Sequence, residues 1–92
     1  MRVENGIAYL EGDLTLDQAV RFMEEGERLL AGGVTVFDLS GLGQVDSAAL
    51  SLFLNWRRSA LAQGRAIGFK NTPASLLNLA KLYGVAELVN LI

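Results

Sequence analysis

The chain is expected to fold as an α/β sandwich, a mixed, mostly parallel four-stranded sheet with helices packed on it. Three observations predict this. Apolar, β-branched runs of strand length alternate with segments of helical spacing; the links are short; and an Asn5-Gly6 turn joins the first two runs as a hairpin.

Asn5-Gly6 separates Arg2-Val3-Glu4 from Ile7-Ala8-Tyr9-Leu10, and both turn residues accept the positive φ of a type I′ turn. The second strand then runs over 7–14. Thr15-Leu16-Asp17-Gln18 reads as a capping box, with the Thr15 hydroxyl accepting from the Gln18 N–H and the Gln18 side chain reaching back. Leu16, Ala19, Val20, Met23 and Leu30 follow at helical spacing, Glu27 interrupts their stripe, and Gly32-Gly33 ends the helix.

The run over 34–39 is β-branched and aromatic, bounded by glycines, and predicts a strand buried on both faces. It should give way to a glycine-bearing loop, Ser40-Gly41-Leu42-Gly43-Gln44, that ends in Asp46-Ser47 at the start of a second helix. That helix runs to about Gln63, with Gly64 as its stop. A strand over 66–70 comes next. Thr72 is expected to cap a third helix with Pro73 in its first turn, Leu76, Leu79, Ala80 and Tyr83 as its stripe, and Gly84 as its end. A helical turn or two over 85–92 should pack on the sheet. The order ββαβαβα leaves no linker or repeat, so residues 1–92 are expected to form one domain.

Composition narrows the chemistry. Ninety-two residues, 51% hydrophobic and 20% charged, are globular rather than disordered, and site and core must share the same few elements. A net charge of −2 without a basic run argues against nucleic-acid binding. No cysteine or histidine is present, which removes disulfides, thiol nucleophiles, histidine acid–base pairs and the usual zinc ligands. The N-terminus has no apolar signal region, and no apolar run approaches the roughly 18 residues of a membrane span. A cytoplasmic protein without direct membrane insertion is expected; if it works at a membrane, another protein takes it there.

On the second helix, Ala49, Leu50, Phe53, Leu54, Trp56, Ala60 and Leu61 fall on one broad arc, the core side. Ser47, Ala48, Ser51, Asn55, Arg58, Ser59 and Ala62 occupy the rest, with Leu52 at the edge. Exposed helix faces usually carry Glu, Lys and Arg, whereas this one is small and weakly polar. Two readings stand side by side. The arc is a docking surface centred on Ser47, Ser51 and Asn55, where small residues admit a close partner at little entropic loss. Or a short domain simply tolerates Ser and Asn there, with Ser47 as N-cap. Arg57 falls within the apolar arc and either snorkels past the sheet or pairs with a carboxylate such as Asp38.

Asp46-Ser47 sets a hydroxyl beside a carboxylate, but a carboxylate alone activates a hydroxyl poorly and no His or Lys follows locally. No catalytic residue, cofactor site or metal site is assigned. Gly41-Leu42-Gly43 lacks the spacing and Lys-Ser/Thr of a phosphate loop, and its glycines are expected to serve the turn. Asp13, Asp17, Glu24, Glu25 and Glu27 read as a solvated acidic face, and Trp56 and Tyr83 as packing residues. A phosphate on Ser47 would meet the positive end of the helix and put about −2 of charge in the middle of the docking face.

Val36 to Leu50, with Asp38-Leu39-Ser40 before the loop and Asp46-Ser47-Ala48-Ala49 after it, resembles the signature of STAS domains. These are found in sulfate-transporter tails and bacterial anti-sigma-factor antagonists. The resemblance covers nearly the whole chain, including Leu10-Glu11-Gly12-Asp13-Leu14-Thr15. The later stretch Asn78-Leu79-Ala80-Lys81-Leu82-Tyr83-Gly84-Val85 is most similar to the MlaB-like members, the STAS subunits of Mla phospholipid-transport ABC complexes.

The resemblance implies a STAS-like sandwich and a non-catalytic accessory subunit. Its partner would be an MlaF-like ABC transporter ATPase subunit, peripheral to the inner membrane, in a complex that maintains outer-membrane lipid asymmetry. Partner-binding residues are then Asp46, Ser47, Ala48, Ser51, Leu52 and Asn55. The alternative it implies is an anti-sigma-factor antagonist, switched by phosphorylation of Ser47 by a serine-kinase anti-sigma factor. Antagonists commonly carry glycine after that serine. Ala48-Ala49 stand here instead and keep the positions small.

Overall fold

The turn residues at the start of the chain set the sheet. Asn5 and Gly6 take φ of +51° and +78°, and fold β1 (Arg2–Glu4) antiparallel onto β2 (Ile7–Leu14). The computed structural model describes residues 1–87. The elements that follow are α1 (Leu16–Ala31), β3 (Val36–Val45), α2 (Ser47–Ala62), β4 (Gly68–Lys70) and α3 (Ala74–Leu82). The sheet order is β1-β2-β3-β4, with β3 parallel to both β2 and β4. This is the mixed, mostly parallel sheet that the alternation of segments predicts. The helical turns expected over 85–92 fall, from residue 88 on, outside the described residues.

The core lies between the sheet and the helices. Phe37 of β3 stacks on Trp56 of α2 at 4.6 Å, and Phe53 meets Phe69 of β4 at 4.5 Å. Trp56, Phe53 and Phe37 are wholly buried, as are Leu10 and Leu14 of β2 and Leu76 of α3. Each such side chain contributes about 1.5–3 kcal/mol when fully buried. That is several times the few tenths separating residue types in local propensity, so this cluster sets the rotational phase of α2.

The same competition corrects the phase of α1. Its buried residues are Phe22, Gly26 and Leu30, whereas Leu16 and Val20, expected in the inward stripe, are 74% and 61% exposed. Phe22 has more apolar surface to bury than Val20, and it takes the core side. Leu61 of α2 and Tyr83 after α3, both expected to pack, are 50% and 59% exposed. Leu54 is half-buried.

Several boundaries also move. β4 pairs with Val36, Phe37 and Asp38 from Gly68 on, so it starts at Gly68 rather than Ala66. Pro73, with ψ at 146°, occupies the N-cap of α3, one position before the expected first turn. The Thr72 hydroxyl, expected to cap this helix, is instead buried without a hydrogen-bond partner among the described residues.

The largest difference is in β3. The strand does not end at Leu39 in a glycine loop. It continues through Val45 because β2 is long enough to pair with it: Glu11 with Gly41, Gly12 with Leu42, and Leu14 with Val45. Register shifts between Tyr9 and Glu11 and between Gly12 and Leu14 absorb the mismatch. Gly41 and Gly43 therefore serve close strand approach and not a turn. A Cβ on Gly41 would stand 2.7 Å from the Leu10 carbonyl oxygen, and one on Gly43 would meet the Asp13 carboxylate. Asp13, expected on a solvated face, accepts from the Gln44 N–H at 2.8 Å and ties the bulged segment together.

Candidate functional site at the α1–α2 mouth

The long β3 strand delivers Asp46 to the point where two helices begin. With φ at −134° and ψ at −173°, Asp46 is extended and is the N-cap of α2. Its Oδ1 accepts from the Ala48 N–H at 2.9 Å, and its Oδ2 accepts from the Leu16 N–H at 3.1 Å. One carboxylate thus caps both α2 and α1. A charged acceptor at two positive helix ends outcompetes a hydroxyl at either.

Two expectations are corrected by this arrangement. Ser47 is the first residue of α2 and not its cap. Thr15 stands at the N-cap position of α1 but makes no side-chain cap; its hydroxyl donates to Asp17 Oδ1 at 3.1 Å. Gln18 does not reach back either, because its side-chain oxygen accepts from Arg21 at 3.2 and 3.1 Å. Only the backbone part of the predicted box forms, Gln18 N–H to Thr15 O at 2.9 Å.

From Asp46 the two helices run side by side, and polar cross-links tie them together. Asn55 Nδ2 donates to the Met23 sulfur at 3.1 Å, and Ser59 Oγ donates to Glu27 Oε1 at 2.8 Å. Glu27, which breaks the apolar stripe of α1, is therefore a helix–helix contact. Beyond α2, Arg65 Nη1 donates to the Leu30 carbonyl at 2.7 Å and closes the other end of α1.

An open groove of about 240 Å³ lies between the helices near their N-termini. Leu16, Ala19, Val20 and Met23 form its α1 wall. Ala48, Ser51, Leu52 and Asn55 form the other. Four of the six expected site residues therefore line one surface. Ser51 is exposed, Ala48 and Asn55 are half-buried, and Leu52 is 4% exposed and so belongs to the floor. Ser47 is exposed one helical turn before Ser51, and the two line an adjoining hollow of about 370 Å³ with Leu54, Tyr83 and Val85, so that Ser51 borders both. Asp46 lies beneath both helix starts, half-buried.

Leu16 and Val20 are the site residues that sequence reasoning placed elsewhere. The signal that could have found them is Phe22: a helix burying Phe22, Gly26 and Leu30 turns Leu16 and Val20 toward solvent. Tyr83, expected in the stripe of α3, lines the hollow beside Ser47 instead.

Away from the groove, Asp38 is 6% exposed and fully partnered. It accepts from the Ser40 N–H and hydroxyl at 2.9 and 2.6 Å, and from Asn71 Nδ2 at 2.7 Å. Burial pushes its carboxyl pKa up, but the Ser40 and Asn71 hydrogen bonds and the charge of Lys70 outweigh this and leave it below the ordinary aspartate value. Arg57, half-buried on α2, is not its partner.

Among the described residues, no helix is long and apolar enough to cross a membrane. By sequence, no curated protein matches the chain. Its fold is shared with solved anti-sigma-factor antagonists. A putative anti-sigma factor antagonist from Thermotoga maritima superposes with a TM-score of 0.75 at 16% identity, covering 95% of this chain and 79% of that one. The anti-sigma factor antagonist SpoIIAA, in its unphosphorylated form, gives 0.63 at 18% identity, covering 92% and 79%. At these identities the likeness is one of fold. Residues 4–90 match the family model described as "Mlab, STAS domain", and with nearly the whole chain inside that match, the protein belongs to the MlaB-like STAS domain family.

Proposed function

We propose that this chain, as a single STAS domain over residues 1–92, is a non-catalytic cytoplasmic subunit. It binds and supports the ATPase of an Mla-type ABC phospholipid transporter, and through that partner lies peripheral to the inner membrane and serves outer-membrane lipid asymmetry. The observation that carries the docking part is the α1–α2 groove. Leu16 and Val20 are large, apolar and mostly exposed, and they face a wall of Ala48 and Ser51 that a partner can approach closely. The family match supports the choice of partner.

The test is co-purification with the transporter's ATPase subunit. Ser51→Arg and Ser47→Glu should each weaken the complex, and Leu16→Glu should do so without unfolding the protein. If Ser47→Glu and Ser51→Arg both leave binding unchanged, the assignment of this face is wrong.

A second reading, an anti-sigma-factor antagonist switched at Ser47, is favoured by one observation: Ser47 is exposed at the first position of a 16-residue helix. The helix end favours a phosphate there, while the neighbouring Asp46 carboxylate, already holding the Ala48 N–H, opposes it. Intact mass after incubation with an active serine-kinase anti-sigma factor decides this. An added phosphate lost in Ser47→Ala supports the switch, and an unchanged mass removes it.

A further inference from the structure

We propose that Asp46 is a positioning residue of the docking groove and not a residue that touches the partner. The proposal rests on the docking reading above and assigns Asp46 a different part in it.

The groove has one wall from each helix, and at its mouth the walls are joined through this carboxylate: Leu16 N–H to Oδ2 and Ala48 N–H to Oδ1. Leu16 is also the most exposed apolar residue of the α1 wall, so the group that Asp46 holds in place belongs to the residue offered to a partner. Thr15, at the N-cap position of α1, makes no side-chain cap of its own. Asp46 itself is half-buried beneath the helix starts and does not line the groove. Losing one oxygen of the carboxylate should therefore loosen one wall relative to the other, with every groove side chain still present.

Asparagine separates the two bonds. Asp46→Asn keeps a carbonyl oxygen that can cap α2, but its amide group cannot accept from Leu16. Backbone hydrogen exchange should then rise by about three- to thirtyfold at Leu16, the range of a lost cap, and stay unchanged at Ala48. Asp46→Ser, which also keeps one capping oxygen, should give the same pattern if the asparagine variant folds poorly. Unchanged exchange at Leu16 in the variant would overturn the clasp.

Leu16→Pro separates positioning from contact. Proline is favoured at the first helical position, and Thr15, at φ −117° and ψ 174°, already has the extended backbone that precedes a proline. A proline at 16 has no N–H for Asp46 to hold. Leu16→Pro also removes a groove side chain and lowers binding by itself, so the effect of Asp46→Asn is read within each background. It should weaken binding of the Mla-type ATPase subunit severalfold in the native chain and add nothing to the lowered binding of the Leu16→Pro chain. An equal loss in both backgrounds would make Asp46 a partner contact and overturn the proposal. If the native chain does not bind the ATPase, the docking reading fails, and the exchange at Leu16 still decides whether Asp46 joins the helices.

Discussion

Gly26 of α1 lies against the indole of Trp56 in α2, so close that a methyl on its α-carbon would overlap the ring at Cε2, Cζ2 and Nε1. This is where the two helices cross. Trp56 cannot retreat, because it is wholly buried and stacked on Phe37 at an interplanar angle of 16°. The absence of a side chain at position 26 brings the helices close enough for the Asn55–Met23 and Ser59–Glu27 bonds to form.

Gly26→Ala sets two effects against each other. Alanine gains about 1 kcal/mol of helix propensity over glycine, while overpacking a rigid core costs about 1–3 kcal/mol. The overlap is with ring atoms of a fixed indole, so overpacking should win. Urea denaturation should show a net loss of stability, and the Trp56 fluorescence of the folded state should shift. A stabilised variant would mean that the crossing has slack.

Gly41→Ala tests the strand assignment of the supposed loop. In a turn an alanine at this position would be nearly neutral. In the strand its Cβ meets the Leu10 carbonyl oxygen, which is backbone and cannot swing away. A loss of about 1–3 kcal/mol in chemical denaturation is expected, with amide protection lowered along Glu11 to Leu14. Neutrality would return residues 40–45 to a loop.

How much of this was legible follows from how far apart the interacting residues lie. The Asn5-Gly6 hairpin is a two-residue signal and is legible in the sequence, as is the alternation that gives the parallel sheet. Gly41 and Gly43 look like turn glycines in the sequence because a turn and a close strand crossing look alike until β2 is placed beside them. Asp46 was legible as an acidic residue at a helix start. That it also caps α1, across 30 residues of chain, is a tertiary fact, and it displaced a local capping box that was sound on its own terms. Gly26 carries a signal of its own: a lone glycine inside a helical pattern often marks a packing contact.

The corrected phase of α1 makes a paired prediction. Val20→Ser should change stability by no more than about 0.5 kcal/mol, as expected of an exposed position. Phe22→Ala should cost about 3–5 kcal/mol, since it opens a cavity in the core. Thermal and urea unfolding of the two variants would check this. The reverse order would restore the stripe through Leu16 and Val20 as the buried face and remove the apolar wall of the groove.

Asp38 makes the fold sensitive to acid, in a direction that can be worked out. Its folded pKa lies below the ordinary aspartate value because the Ser40 and Asn71 donors and the Lys70 charge outweigh burial. A carboxyl depressed in the folded state binds its proton more readily when unfolded. Its contribution is therefore fully present above the ordinary value, about pH 4, and is lost as pH falls from there through the lower folded pKa. Asn71→Gly isolates one donor: Asn71 has φ of +57°, which glycine adopts freely, so the turn is kept and the bond to Asp38 Oδ2 is lost. The variant should lose about 1.5–3 kcal/mol at neutral pH, the range for a hydrogen bond to a charged group. Its Asp38 carboxyl, followed by NMR titration, should protonate at higher pH, and the acid-unfolding midpoint should rise with it. If the midpoint stays put while neutral-pH stability falls, Asn71 acts through the turn alone and the acid sensitivity belongs to another carboxylate.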